Sequence, residues 1–333
     1  MDSVTIQSAA RDSRALTVFT VAMAALAVVC VGGLALDPRL LGGQPIWVKP
    51  LKFSISFVLY AATLAWMISL ITASRTRLWA RRGGAVVAAA GAIEMIAIVG
   101  QVVRGCASHF NVATPLDTAV WATMGTTIVV LWVATAGIGV LLLRERSLHL
   151  DTARAVRLGL AVTLLGMATA FLMTGATGAQ IAAAQTTGSM STAGAHAVGV
   201  PDGGPGLPLL GWSTTGGDLR IAHFVGLHAL QGLPLLAVGL IALAPRVPVL
   251  RDVRVRARLV GVAGAAWTGL TLLLAWQALR GQPLLAPDGP TVGVALALAL
   301  GTVVAALAVV RGGTRALRSA APSTVLEPSQ SPR

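Results

Sequence analysis

The apolar positions of this chain come in long uninterrupted blocks rather than in amphipathic stripes. Each block runs for about twenty residues, which matches the roughly 30 Å hydrocarbon core of a bilayer. Blocks of Leu, Ala and Val without residue-by-residue alternation favour helices over a membrane β-barrel. The blocks predict spans at Ala15 to Leu36, Phe53 to Ile71, Ala85 to Val103, Thr118 to Leu143, Ala155 to Thr174, Ile221 to Leu243, Leu259 to Leu279 and Thr291 to Val310.

Composition leads to the same fold class. Of 333 residues, 55% are hydrophobic and 11% are charged, whereas about a quarter of the residues of a soluble domain are charged. The sequence therefore predicts an all-α polytopic transmembrane helix bundle of about eight spans, forming one domain over residues 1–320. Residues 321–333 are predicted to be a disordered cytoplasmic tail. The first apolar run is longer than a usual signal-peptide core, so an uncleaved anchor is favoured.

The basic residues, which give the chain its net charge of +13, are concentrated on one side of the predicted membrane. Nineteen of the 25 fall in the two tails and the even-numbered loops. By the positive-inside rule, both termini face the cytoplasm of a plasma membrane. Nucleic-acid binding is disfavoured, because no aromatic-interleaved basic face accompanies the charge; membrane lipids are the expected partners. The six remaining basic residues, in the odd-numbered loops, are Arg39, Lys49, Lys52, Arg104, Arg220 and Arg280.

The longest connection, about 175–220, is rich in Gly, Pro, Ser and Thr. A loop of this length is usually functional or disordered. Gly178 to Gln185 could extend the fifth helix, whereas Val198 to Gly217 indicates a non-helical cap or re-entrant segment. In the seventh span, Gly261, Ala265 and Gly269 repeat at four-residue spacing, a pattern that lets helices approach closely.

The first of three polar stretches, Pro45 to Ser54, holds the only two lysines, Lys49 and Lys52. One interpretation is an interfacial anchor in which the lysines reach toward water. The alternative is that they bind an anionic group or pair with a buried acid.

The second polar stretch ends the third span. Glu94 is the only acid well inside a span. A carboxyl group there is costly unless it is protonated, paired with a cation or facing a water-filled cavity. Gln101 lies nearly on the same helix face with Arg104 one turn further, so the three could form one polar stripe. Gly105 is predicted to end the helix. The alternative is a packing contact of Glu94 and a capping loop with Asp117 as N-cap. The loop also carries Ser108, His109 and Asn111.

The third polar stretch, Gly211 to Pro234, leads into the sixth span. Pro234 removes a backbone donor and should kink the helix near Leu230. His223 and His228 lie about 140° apart around a regular helix, so they cannot easily chelate one ion together. The polar residues of this stretch are Asp218, Arg220, His223, His228 and Gln231.

A metal ion or a haem is one hypothesis for these histidines, with His109, His223 and His228 as candidate ligands. Other residues that could complete such a set are Glu94, Asp117, His196 and Asp218. The alternative is that each histidine is an ordinary hydrogen-bonding group. A disulfide between Cys30 and Cys106 is chemically permitted but is not predicted.

These observations favour a membrane-embedded enzyme or redox protein that acts on a lipidic or small hydrophobic substrate at the outer leaflet. A proton-coupled or solute-binding transporter is the alternative, and a structural scaffold is the third. No nucleotide-binding motif supports ATP-driven transport. The predicted catalytic groups are Glu94, His109, His223 and His228. The predicted substrate-binding residues are Lys49, Lys52, Gln101, Arg104, Asn111, Asp218, Arg220 and Gln231.

Overall fold

A computed structural model describes residues 13–319 of the chain. In it, the apolar blocks form helices that run the length of the molecule. The predicted tail at 321–333, with Arg333, and residues 1–12, with Arg11, lie outside the described residues. The helices are α1 (Arg14–Leu36), α2 (Val48–Ser69), α3 (Ser74–Arg104), α4 (Pro115–Leu143), α5 (Leu150–Ala168), α6 (Gly178–Thr187), α7 (Leu219–Leu227), α8 (Ala229–Leu243), α9 (Val253–Leu279) and α10 (Gly289–Ser319). The predicted all-α multi-pass membrane bundle is confirmed.

Seven helical segments of the described residues, one of them running from α5 through α6, are long and apolar enough to cross a membrane, and α7 and α8 pass the same test as a bent pair. The two are bent by 40° at His228, close to the kink predicted near Leu230. Because Pro234 lies inside α8 and has no backbone N–H, it weakens the helix one turn before it. Counting the bent pair as one span gives the predicted eight.

Several helices extend beyond the apolar blocks. The second begins at Val48 rather than Phe53, which places Lys49 and Lys52 on its first turns. The third begins at Ser74 rather than Ala85. Hydropathy marks the part of a helix in lipid, whereas the helix itself continues until a cap or turn ends it. Gly105 ends α3 in the left-handed conformation, as predicted.

Packing divides the bundle into two groups. Helices α1 to α4 surround one apolar core that contains Phe19, Leu64 and Ile98, and this core continues to Leu160 of α5 and Leu230 of α8. Helices α5, α8 and α9 pack around a second core that contains Leu233 and Val260. Side chains such as Ile96 and Leu300 point outward and are about two thirds or more exposed, as expected for surfaces that face lipid.

The two ends of the bundle differ. We call one end the long-loop face; it carries residues 37–47, 105–114, 169–218 and 280–288. The other end, the short-loop face, carries residues 70–73, 144–149 and 244–252. Two short strand pairs lie on the long-loop face: β1 (Leu40–Leu41) with β2 (Gln44–Pro45), and β3 (Ala197–Val198) with β4 (Gly217–Asp218).

The long connection is folded rather than structureless. A 3₁₀ helix, Thr169–Met173, follows α5, and α6 then starts from a capping box made by Thr177 and Gln180. Gly178 to Gln185 are helical, as predicted, but a 3₁₀ turn and a short break set them apart from α5 as the helix α6. The prediction that Val198 to Gly217 is not helical is confirmed.

The small residues of the seventh span serve two purposes. A Cβ at Gly269 would lie 2.7 Å from Leu298 of α10, so there the helices do approach closely. Gly261 and Ala265 instead line an open groove between α9 and α10. Both cysteines are free: Cys30 is buried and Cys106 is half-buried.

Candidate functional site

The three polar stretches meet at the long-loop face. Lys52 Nζ at the start of α2 donates to Leu210 O at 3.0 Å, which joins the first stretch to the long connection. Asn111 forms a backbone bridge with Thr192, which joins the second stretch to the same connection. Convergence, which the sequence could only suggest, is a property of the fold.

Glu94, His109 and Lys49 lie together beneath this face, and we call them the acid–base cluster. Glu94 is 1% exposed, and its Oε1 lies 3.6 Å from Nε2 of His109. Thr127 Oγ1 lies 3.4 Å from the other carboxylate oxygen but is only 3.0 Å from Met124 O, so it is a weak donor to Glu94. Within residues 13–319, Glu94 Oε1 is buried without a hydrogen-bond partner.

Lys49 differs from the other basic residues of the long-loop face. Its ammonium is attracted by the carboxylate of Glu94 and repelled by Arg220 and Lys52. It makes no hydrogen bond to the described residues. The remaining cations are all bound to nearby groups: Arg39 to Asp37, Arg104 to Asp117, Arg220 to Asp218, Arg280 to Asp288, and Lys52 to Leu210. Lys49 therefore retains donors for a ligand, next to a carboxylate with an unused acceptor.

Aromatic rings enclose His109. The ring centroids of Phe53 and Trp121 lie 5.6 Å and 5.5 Å from that of His109. Burial lowers the pKa of His109 well below the usual 6.5, and the positive charge of Lys49 lowers it further. The imidazole is therefore neutral at physiological pH, with one nitrogen able to accept a hydrogen bond.

His196 covers the cluster from the long connection. Its ring centroid lies 4.8 Å from that of Phe110, and its Nδ1 lies 2.7 Å from Asp202 Oδ2. Burial lowers the pKa of His196, and the hydrogen bond that its ring makes to Asp202 opposes that shift. The backbone N–H groups of His196 and Ala197 also donate to Asp202, which fixes this part of the cover.

The predicted stripe of Glu94, Gln101 and Arg104 is divided between two networks. Gln101 Nε2 and Arg104 Nη1 donate to Asp117 Oδ1 at 2.9 Å and 2.7 Å, away from Glu94. Asp117 is not the N-cap of α4. That position belongs to Thr114, whose hydroxyl both accepts from the Asp117 N–H and donates to its carboxylate. Gln101, Arg104 and Asp117 satisfy one another and join α3 to α4.

Asp218 and Arg220 form a second closed network. Asp218 is 1% exposed, caps α7, and accepts from the Ser213 N–H at 2.8 Å and from Arg220 Nε at 2.9 Å. Arg220 also donates to Gly211 O. These bonds hold the glycine-rich segment of the long connection onto the start of α7. The side chain of Asn111 also bonds within its own loop: its Nδ2 donates to Ala107 O, and its Oδ1 accepts from the Ala113 N–H.

The histidines of the bent span have separate partners. His223 Nδ1 lies 2.9 Å from Gly166 O, where α7 crosses α5 so closely that a Cβ at Gly166 would overlap Gly226. His228 Nδ1 lies 3.2 Å from Gln231 Oε1, and its ring packs on Phe224. His223 is near enough to both His109 and His228 to interact with them electrostatically.

The predicted metal set of His109, His223 and His228 does not fit this geometry. Within residues 13–319, no group of three or more His, Cys, Asp or Glu side chains is arranged to hold a metal ion. The five-residue spacing of His223 and His228 on a regular helix also disfavours chelation of one ion by the pair.

Sequence reasoning missed several residues that shape the site. Thr127, Phe53, Phe110 and Trp121 lie in or beside apolar blocks, where nothing distinguishes them from residues that face lipid. Asp202 was missed because it lies in a run of Gly and Pro with no regular structure. Only the position of the nearby histidines could have drawn attention to them.

No protein-family model, curated protein or solved structure matches this chain.

Proposed function

We propose that the acid–base cluster is the active site of a membrane-embedded enzyme that transfers a proton to or from a small hydrophobic or lipidic substrate. The observation that carries this proposal is the Oε1 atom of Glu94, which is buried without a hydrogen-bond partner among the described residues. A buried polar atom left without a partner costs about 1–3 kcal/mol, and native proteins keep few of them. A substrate hydroxyl or amine would satisfy this atom.

The three members of the cluster suit different roles. Glu94 would act as general acid or base, because its carboxylate is enclosed and Oε1 has no hydrogen-bond partner among the described residues. Neutral His109 would accept or return the proton, from 3.6 Å away. Lys49, whose ammonium has no hydrogen bond to residues 13–319, would stabilise negative charge that develops on the substrate. The chemistry proposed uses these side chains alone.

The surroundings favour an apolar substrate. Phe53, Phe110 and Trp121 lie around His109, and such walls are typical of sites that take small hydrophobic molecules with a few polar groups for orientation. The segment fixed by Asp218 and Arg220 would cover the bound substrate and exclude water.

An enzyme is favoured over a transporter because the described helices carry no Asp, Glu, His, Lys or Arg between the level of Glu94 and the charged residues near the short-loop face, although Tyr60 and Thr135 make a buried polar contact there. One turn below Glu94, a Cβ at Gly91 would meet Phe19 and Phe57, and two turns further Gly84 packs against Leu16 and Ile68. A path for protons or charged solutes would need ionisable groups at these depths. A scaffold without chemistry would leave the unsatisfied Glu94 unexplained.

The proposed location is the outer half of a plasma membrane, with both termini in the cytoplasm. The basis is the concentration of arginines in the short loops and tails, which the positive-inside rule places in the cytoplasm. The long-loop face and the acid–base cluster would then open to the outer leaflet.

The test is an untargeted lipid profile, because the substrate is unidentified. Membranes from cells that express the wild type, Glu94→Gln or His109→Gln at matched levels are extracted and compared by mass spectrometry with membranes that lack the protein. Arg280→Gln is the matched control, since it changes an ion pair of the same face away from the cluster.

We expect one lipid class to decrease and a related class to increase with the wild type and the control only. Identical profiles for the wild type and Glu94→Gln would overturn the enzymatic proposal. Glu94-dependent proton uptake by vesicles that contain the purified protein, without any lipid conversion, would establish the transporter instead.

A further inference from the structure

An apolar groove opens between α5, α9 and α10, on the opposite end of the molecule from the acid–base cluster. It has a volume of about 560 Å³ and is lined by small side chains, among them Gly261, Ala265, Ala297 and Gly301. Ligand pockets commonly measure about 300–1,000 Å³. The groove is therefore large enough to take a chain-like apolar ligand.

The groove lies where small residues separate two contacts of α10 with the rest of the bundle. Near the middle of α10, Leu298 packs against Gly269 of α9. Near its end, Gly313 packs against Val249 and Val255. Between these contacts the small residues of both helices leave space, and a Cβ at Gly301 would have no neighbour within 4 Å.

Two arginines line the groove toward the short-loop face. Arg258 is exposed and makes no hydrogen bond or ion pair to residues 13–319. Arg154 lies beside Gly261 and donates one bond, from Nη1 to Ala257 O. The nearby acid Asp151 is already paired with Arg256 at 2.6 Å, so it does not neutralise them.

We propose that this groove binds one anionic phospholipid, with an acyl chain between α9 and α10 and its phosphate on Arg154 and Arg258. Basic pockets between transmembrane helices at a cytoplasmic surface are suited to anionic headgroups. A second helix in the groove would have to bury Arg258 without a partner, whereas a lipid phosphate supplies the opposite charge at the height where the arginines lie. This site is independent of the proposed enzymatic function.

The test is native mass spectrometry of the full chain in detergent, with phosphatidylglycerol or phosphatidylcholine of identical acyl chains added. The wild type is expected to retain one phosphatidylglycerol in preference to phosphatidylcholine. Removing one basic contact near an anionic headgroup should weaken binding about fivefold, so Arg154→Gln with Arg258→Gln should weaken it roughly thirtyfold.

Arg144→Gln with Arg146→Gln is the matched control, since both arginines are exposed on the short-loop face and do not line the groove. This pair should bind lipid as the wild type does. Equal loss in both double variants would overturn the proposal, because it would show only a general effect of surface charge. Equal retention of the two lipids by the wild type would also overturn it.

Filling the groove tests the acyl-chain part of the proposal. Gly261→Leu should reduce phosphatidylglycerol binding while the thermal midpoint of the protein stays within the range of the control. The same spectra report oligomeric state. If Gly261→Leu leaves lipid binding intact, no acyl chain lies in the groove and the proposal is overturned. If it converts a dimer to a monomer, a second copy of the chain rather than a lipid occupies the groove.

Discussion

Nε2 of His109 lies 3.6 Å from Oε1 of Glu94, across the junction between α3 and the loop that follows it. This separation exceeds a normal hydrogen bond, yet both groups are enclosed, with side chains 17% and 1% exposed. Oε1 of Glu94 has no hydrogen-bond partner among residues 13–319. Measurements of stability and of its pH dependence distinguish a packing role of this pair from a chemical one.

Glu94→Leu should leave the free energy of unfolding unchanged or raise it by about 1–3 kcal/mol, because it removes an unsatisfied buried polar atom. Asp117→Leu should lower stability by about 1–3 kcal/mol, since it breaks bonds to Gln101, Arg104 and Thr114. Thermal unfolding in detergent distinguishes the two. A marked loss of stability in Glu94→Leu would mean that Glu94 is a packing residue.

Stability should fall as the pH drops below about 6.5, the ordinary pKa of histidine. Burial lowers the pKa of His109 and of His196 in the folded state. The unfolded chain therefore binds more protons between 6.5 and the lower folded values, and stability declines as pH falls through that window. His109→Gln should show a shallower decline in thermal midpoint between about pH 7.5 and pH 5.

His149→Gln is the control for this experiment, since His149 is exposed at the short-loop face. The explanation fails if wild type and His109→Gln lose stability in parallel on acidification.

Asp218→Ala should destabilise the protein by about 3–5 kcal/mol, because it leaves Arg220 without its partner and frees the Ser213 N–H. The segment from 199 to 217 should become the first site of cleavage in limited proteolysis. Arg280→Gln breaks an ion pair whose two side chains are each about one third exposed, so its cost should be only about 0–1 kcal/mol. Equal protease resistance of Asp218→Ala and the wild type would argue against this network as the anchor of the cover.

Cys106 provides a test of orientation, because it is half-buried on the long-loop face. In a Cys30→Ala background, a membrane-impermeant maleimide should label Cys106 in intact cells. A cysteine introduced by Arg146→Cys with both native cysteines removed should react only after the cells are permeabilised. The reverse pattern would invert the proposed topology and place the acid–base cluster on the cytoplasmic side.

The sequence by itself determined the architecture of this protein. Blocks of apolar residues match the thickness of a bilayer, and a helix is the conformation that satisfies its own backbone there, so eight spans could be predicted from hydropathy alone. The helix end at Gly105 and the bend before Pro234 were also readable, because both depend on local backbone chemistry. Hydropathy also distinguished Glu94, because it is an acid within an otherwise apolar span.

Only the tertiary structure decided which polar residues act together. Gln101 and Arg104 are predicted to form a polar stripe with Glu94 because they share a helix face, yet both donate hydrogen bonds to Asp117 of the next helix instead. His109 approaches Glu94 because the turn after Gly105 folds back over α3, and His223 and His228 separate at the bend. Hydropathy and caps act over a few residues of chain, whereas these pairings depend on the rotation and packing of whole helices and on the path of the loops between them.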